Sequence, residues 1–146
     1  MAARRAWRLV PELADFEGEW RLERDVVHEG APPARFEGEA RFTPGQGGLI
    51  YREAGVLSVA GQAPMRAERG YLWRAREGGG IDVAFADGRF FHSITDVAEA
   101  QHWCDPDMYE VRYDFADWPD WSATWQVRGP RKAYRMVSRY SRGAGD

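Results

Sequence analysis

A single cysteine, Cys104, stands in a chain of 146 residues. It excludes an internal disulfide framework and points to a reducing compartment, with the cytoplasm as the expected location. No apolar run is long enough to cross a membrane, and the opening MAARRAWRLVPEL carries arginines but no signal-peptide core. No membrane partner is therefore expected. An excess of one charge is missing too. Twenty basic and 23 acidic side chains leave a net −3, without the basic field that nucleic acid requires. Helical periodicity is nearly absent. The one candidate is a short turn from Pro11 through Ala14, ending before Phe16. There is no internal repeat, no low-complexity tract and no linker, so residues 1–146 read as one domain.

What the chain has is aromatic mass and turns. Aromatics make up 14% of the residues, with seven tryptophans; they must be buried, line a cavity or form an interface. Turn signals recur at short intervals: GAPP, PGQGG, AGQAP, EGGG, ADG, CDPD, WPDW and RGPRK. Between them residues alternate with period two, the mark of short antiparallel strands. Phe16, Gly18, Trp20, Leu22 and Arg24 share a face, opposite Glu17, Glu19, Arg21 and Glu23. Phe36 to Phe42, Tyr51 to Leu57, Ala67 to Trp73 and Ile81 to Phe85 alternate likewise. Asp87-Gly88 predicts a two-residue hairpin with positive φ at both positions. Further strands follow over 89–94, 98–104, 109–115, 122–129 and 133–141. About eight to ten strands with no covering helix must close on themselves. Glycines 18, 38 and 55 on inner faces favour a barrel over a sandwich. The expected fold is all-β: a single antiparallel meander barrel with a short N-terminal helix.

Gly18-Glu19-Trp20 on the first strand, after a helical turn, resembles the first-strand signature of lipocalins and their calycin relatives. That resemblance implies a tryptophan plugging the closed end, with an arginine from a late strand stacked on it: Arg135, Arg139 or Arg142. FEGEWRLER, YREAG, DGRFFH, HWCDPDMY and WQVRGPRKAY, in that order along the chain, look like a small uncharacterised calycin-like family of bacterial and fungal proteins, a domain of unknown function. It implies a barrel with an internal pocket and no particular activity.

The inner parity holds more polar residues than a dry core tolerates. Arg24, Glu53, Arg69 and His102 fall in line with inward apolar neighbours, and His92 or Arg89 joins them according to register. Unpaired buried charge costs several kcal/mol per ion, so these groups pair internally or face a ligand. Two arginines against one carboxylate leave a guanidinium for an anion. The expected function is binding of a small anionic or partly aromatic molecule, with Arg24 and Arg69 on the charge. Trp20, Tyr51, Tyr71, Trp73, Phe85 and Trp125 would form walls, and Glu53, His92, His102 and Tyr109 would add polar contacts. Such a site needs a cavity above roughly 300 Å³.

Two alternatives stay open. One is an enzyme using the same pocket, with Glu53 or a histidine as base and a tyrosine as acid; some calycin-fold decarboxylases work with these residue types. The other is a structural barrel with a filled interior, forming a homodimer through Trp118 and Trp121. His102 and Cys104, two apart on a strand, would reach one metal ion, but no histidine pair has an established zinc spacing. No metal and no cofactor is expected. Cys104 reads as a small buried thiol, and Asp105 and Asp107 read as turn formers around Pro106.

Overall fold

Ten strands and one helical turn account for residues 10–96 and 99–142, the parts described by the computed structural model. The turn is a single 3-10 helix, Leu13–Phe16. The strands are β1 (Gly18–His28), β2 (Ala34–Gly45), β3 (Gly48–Val59), β4 (Met65–Ala75) and β5 (Ile81–Phe85), then β6 (Phe90–Ile94), β7 (Glu99–Cys104), β8 (Asp107–Asp114), β9 (Trp121–Arg128) and β10 (Ala133–Ser141). Nearly all pair with their sequence neighbours, antiparallel, as a meander does. The exception makes the barrel: β1 pairs with β10, so first and last strands are joined. The sheet's edges, β6 and β7, lie in the middle of the chain instead. They face each other without a backbone ladder among the described residues. Side chains cover that seam, with Phe91 against His102 and Tyr109. The result is an all-β, nearly closed barrel.

Period-two alternation decides which side chains enter. On β1, Trp20, Leu22 and Arg24 are buried while Glu19 and Arg21 are exposed. On β9 the buried set is Trp121, Ala123, Trp125 and Val127, and on β10 it is Met136, Ser138 and Tyr140. Each fully buried Leu or Phe contributes about 1.5–3 kcal/mol relative to exposure.

One end of the barrel is plugged. Phe16, at the end of the helical turn, packs edge-on against Trp118 and Trp121 and tilts against Phe42 and Trp73. Trp20 donates its indole N–H to the Phe16 carbonyl at 2.8 Å. Of the three candidate arginines, Arg142 is the one whose guanidinium covers the Trp20 ring, 3.6 Å from its centre. It also donates to the carbonyls of Asp15, Glu17 and Glu19. The plug corrects one expectation: Trp121 is buried and Trp118 half-buried, so neither presents a free surface. Among the described residues the exposed large rings are Phe90 and Trp103, on the two seam strands.

The opposite end carries the loops that follow β1, β3, β5, β7 and β9. Gly38 and Gly55 pair across β2 and β3 beneath it. A Cβ on Gly55 would lie 2.3 Å from the Glu37 carbonyl oxygen and 2.8 Å from the Phe36 ring. Only a residue without a side chain lets the strands approach this closely.

Two turns differ from expectation. The two-residue turn with positive φ at both positions is Gln46-Gly47 (φ 55 and 78), not Asp87-Gly88. At the latter only Gly88 is left-handed, with φ 93. The chain there uses a three-residue loop, closed by Phe85 N–H to the Arg89 carbonyl at 2.8 Å, which asks for one left-handed position rather than two. Past that loop the register shifts between Val83 and Ala84. The bulge turns consecutive residues, Phe91 and His92, into the interior. It settles the choice left open by alternation: His92 is inside, and Arg89 is outside, paired with Asp87 at 2.8 Å.

Candidate functional site

The centre of the barrel holds an ion pair. Arg24, from β1, donates through Nη1 and Nη2 to both oxygens of Glu53 on β3, at 2.5 and 2.9 Å. Its Nε donates to Ser138 Oγ on β10 at 2.7 Å. Tyr51 donates to the same Glu53 carboxylate and meets the Tyr140 hydroxyl at 2.7 Å. Burial alone would push the Glu53 carboxyl up; the Arg24 hydrogen bonds overcome it and hold the pKa below the ordinary value. For Arg24, burial opposes the charge, and the hydrogen bond to Glu53 wins, raising its pKa. The tyrosines are pushed up by burial, Tyr140 to about 12. The arrangement is fork-to-fork and fully satisfied, which is the condition under which a buried pair is tolerated.

Above this pair the barrel opens. A cavity of about 420 Å³ lies at the mouth, between the ends of β1 and β3 and the starts of β2, β4 and β10. Arg24 and Glu53 form part of its floor. Phe36, Val26, Leu57 and Met136 supply apolar wall, and Tyr134 and His28 stand on the β10 and β1 side. Arg69, on β4, enters from the wall with its side chain 39% exposed. Its Nε is 3.9 Å from Glu53 Oε2, an oxygen already bound by Arg24. Its guanidinium lies 6.0 Å from the centre of the Trp125 ring, and Tyr71 is close enough to feel its charge. Arg24 is thus closed by partners within the barrel, whereas Arg69 borders the cavity, meeting the Tyr71 hydroxyl and, by a long contact, a shared carboxylate.

The deeper barrel is filled. Only about 20 Å³ remains below the ion pair, bordered by Tyr71, Trp73, His92, Tyr113, Trp121 and Trp125. His92 is 2% exposed. Its Nε2 lies 2.9 Å from the Tyr113 hydroxyl, and Nδ1 has no hydrogen-bond partner. Burial, aided by the nearby His102, lowers its pKa to about 3, so the ring is neutral.

Of the twelve residues singled out from sequence, the fold brings Arg24, Glu53 and Arg69 together at the cavity. Tyr71, Trp73, His92 and Trp125 border the small void beneath it. Trp20 belongs to the plug. His102 lies on the seam, half-buried, its ring 5.4 Å from Phe91 and 6.0 Å from Phe90. Tyr109 meets Phe91 and Trp125. Cys104 is half-buried rather than buried. Among the described residues no three His, Cys, Asp or Glu side chains converge on one point. Asp107 is also not a turn former: it is buried, and its carboxylate takes a bond from Lys132 at 3.2 Å, across to the β9–β10 turn. Gly129 makes room for it, since a Cβ there would lie 2.0 Å from Asp107 Oδ1.

Sequence reasoning missed the β10 contribution: Tyr134, Met136, Ser138 and Tyr140. Their alternation was visible, but nothing local places them beside Arg24.

One protein-family model matches residues 16–142. The chain belongs to the family of unknown function DUF6314. No curated protein matches this DUF6314 chain. Among solved structures, it is similar to the S-type phycobiliprotein lyase CPES of Guillardia theta, with a TM-score of 0.53, 12% identity and 92% of each chain covered. At that identity the likeness speaks for the fold alone, a lipocalin-like barrel.

Proposed function

We propose that this DUF6314 barrel binds a small organic molecule at its mouth, with an anionic group against Arg69 and an apolar body against the β1–β3 wall. The observation that carries the reading is the 420 Å³ cavity bordered by Arg69, over a floor whose own charges are already paired. Its size falls in the range of ligand sites, and an apolar wall with few convergent polar groups is their usual character. A likeness in fold to a barrel named as a phycobiliprotein lyase supports small-molecule work for this architecture, at an identity too low to bring over a substrate. Glu53 is an anchor here rather than a base: both oxygens are engaged and its carboxyl is held in the ionised form.

Native mass spectrometry of the full chain purified from its own host tests the reading. The expected result is an added mass that is absent from Leu57→Trp, which fills the cavity. An added mass retained by that variant places the ligand elsewhere.

A further inference from the structure

The chemistry of the cavity narrows the ligand class. That class, which rests on the mouth being the binding site, follows from two properties of the cavity.

The first is charge. Two arginines and two glutamates border the cavity: Arg24, Arg69, Glu53 and Glu68. Arg24 is closed on Glu53 and Ser138. Arg69 offers five N–H donors in a planar fork, against the Tyr71 hydroxyl and one carboxylate oxygen 3.9 Å away. One such fork matches one planar carboxylate. A phosphate dianion would bring a second negative charge beside Glu53 and Glu68, with no second spare cation bordering the cavity.

The second is the wall. Its apolar members include Val26, Leu57, Val59, Ala67 and Met136, and its rings are Phe36, Tyr134 and His28. Among the described residues the indoles lie elsewhere: Trp73, Trp121 and Trp125 around the deep void, Trp20 and Trp118 in the plug, Trp103 on the outside. The Phe36 ring is itself engaged, packed over Gly55 with Arg24 5.3 Å from its centre. Branched aliphatic side chains and a methionine adapt to a flexible chain, while a flat ring system finds no indole, only Tyr134 and His28 tilted against each other with 5.2 Å between ring centres.

We infer that the mouth cavity takes an aliphatic monocarboxylate, its carboxylate on the Arg69 fork and its hydrocarbon chain along Val26, Leu57 and Met136. This departs from the partly aromatic ligand that the tryptophan content suggests.

Isothermal titration calorimetry of the full chain with hexanoate through tetradecanoate, dodecanol, dodecyl phosphate and naphthoate decides it. Affinity rises about fourfold per added methylene and levels once the cavity is full. Dodecanol and dodecyl phosphate bind about tenfold or more weakly than dodecanoate, the loss expected for a charge-assisted hydrogen bond. Arg69→Gln, with thermal unfolding unchanged, erases the gap between dodecanoate and dodecanol and leaves dodecanol binding intact. Equal affinity for dodecanol and dodecanoate, or tighter dodecyl phosphate, overturns the carboxylate assignment while the mouth remains a binding site. Tighter naphthoate overturns the aliphatic assignment in the same way. No heat and no competition from any probe, dodecanol included, overturns the mouth as a binding site.

Discussion

Arg24 on β1 reaches across the barrel interior and closes both oxygens of Glu53 on β3, two strands away in the sheet. Both residues are almost fully buried, so their charges depend on each other rather than on water.

Breaking this pair from one side is expected to be severe. Arg24→Met leaves a buried carboxylate and costs about 3–5 kcal/mol of stability. The double variant Arg24→Met, Glu53→Leu costs less than Arg24→Met alone, since no uncompensated charge remains. Urea unfolding of the single and double variants measures both.

Acid acts with the same sign on His92 and Glu53 among other groups. The His92 pKa is depressed from 6.5 to about 3 in the folded chain, so the unfolded chain binds the proton first. Its contribution is complete above pH 6.5 and is lost as the pH falls toward 3. The Glu53 pKa is depressed from 4.5, so its contribution is present above that value and lost as the pH falls through its folded one. Melting temperature is therefore expected to decline below about pH 6.5 in the native chain. His92→Gln, which keeps a polar group near Tyr113 but does not titrate, should decline less steeply before the carboxylates titrate, with His102, whose pKa burial also lowers, still contributing. Differential scanning calorimetry across the acid range reads this; parallel curves would refute the His92 assignment.

The plug depends on Arg142. Its stacking on Trp20 contributes about 0.5–2 kcal/mol, and its bonds to the carbonyls of Asp15, Glu17 and Glu19 add to that. Arg142→Ala is expected to lower stability by about 1–3 kcal/mol, combining the stacking with hydrogen bonds from a charged donor. Arg142→Lys should recover only part of the loss, because an ammonium lacks the planar fork. Thermal unfolding followed by tryptophan fluorescence compares the two.

Gly55→Ala tests the close approach of β2 and β3. The new methyl would meet the Glu37 carbonyl and the Phe36 ring. A loss of about 1–3 kcal/mol is expected from the forced strand separation. Gly61→Ala, on the β3–β4 loop with open space around it, avoids that collision. It bears only the strain of its φ of 82, so the smaller loss should be at Gly61. Equal losses in chemical unfolding would show that crowding is not the reason for Gly55.

The inner and outer faces of the strands were legible because a pleated strand presents alternate residues to opposite sides. Trp20, Leu22 and Arg24 on β1 follow that rule without help from the rest of the chain. His92 did not, since the bulge after Val83 breaks the period just before it. Asp107 was also misread, because its partner Lys132 lies on a different hairpin.

The amino-acid sequence alone therefore determined that this is an all-β barrel of short antiparallel strands, which residues of an unbroken strand face inward, and that Arg24, Glu53 and Arg69 are inward groups in need of partners. Only the tertiary structure decided how they divide. Arg24 closes on Glu53 and Ser138, while Arg69 borders the mouth cavity and Trp20, Trp73, Trp118, Trp121 and Trp125 fill the deep barrel and its plug. Parity is a property of each strand by itself. Which inward residues meet depends on the register of ten strands and on the pairing of β1 with β10, and that register is set by the whole sheet together.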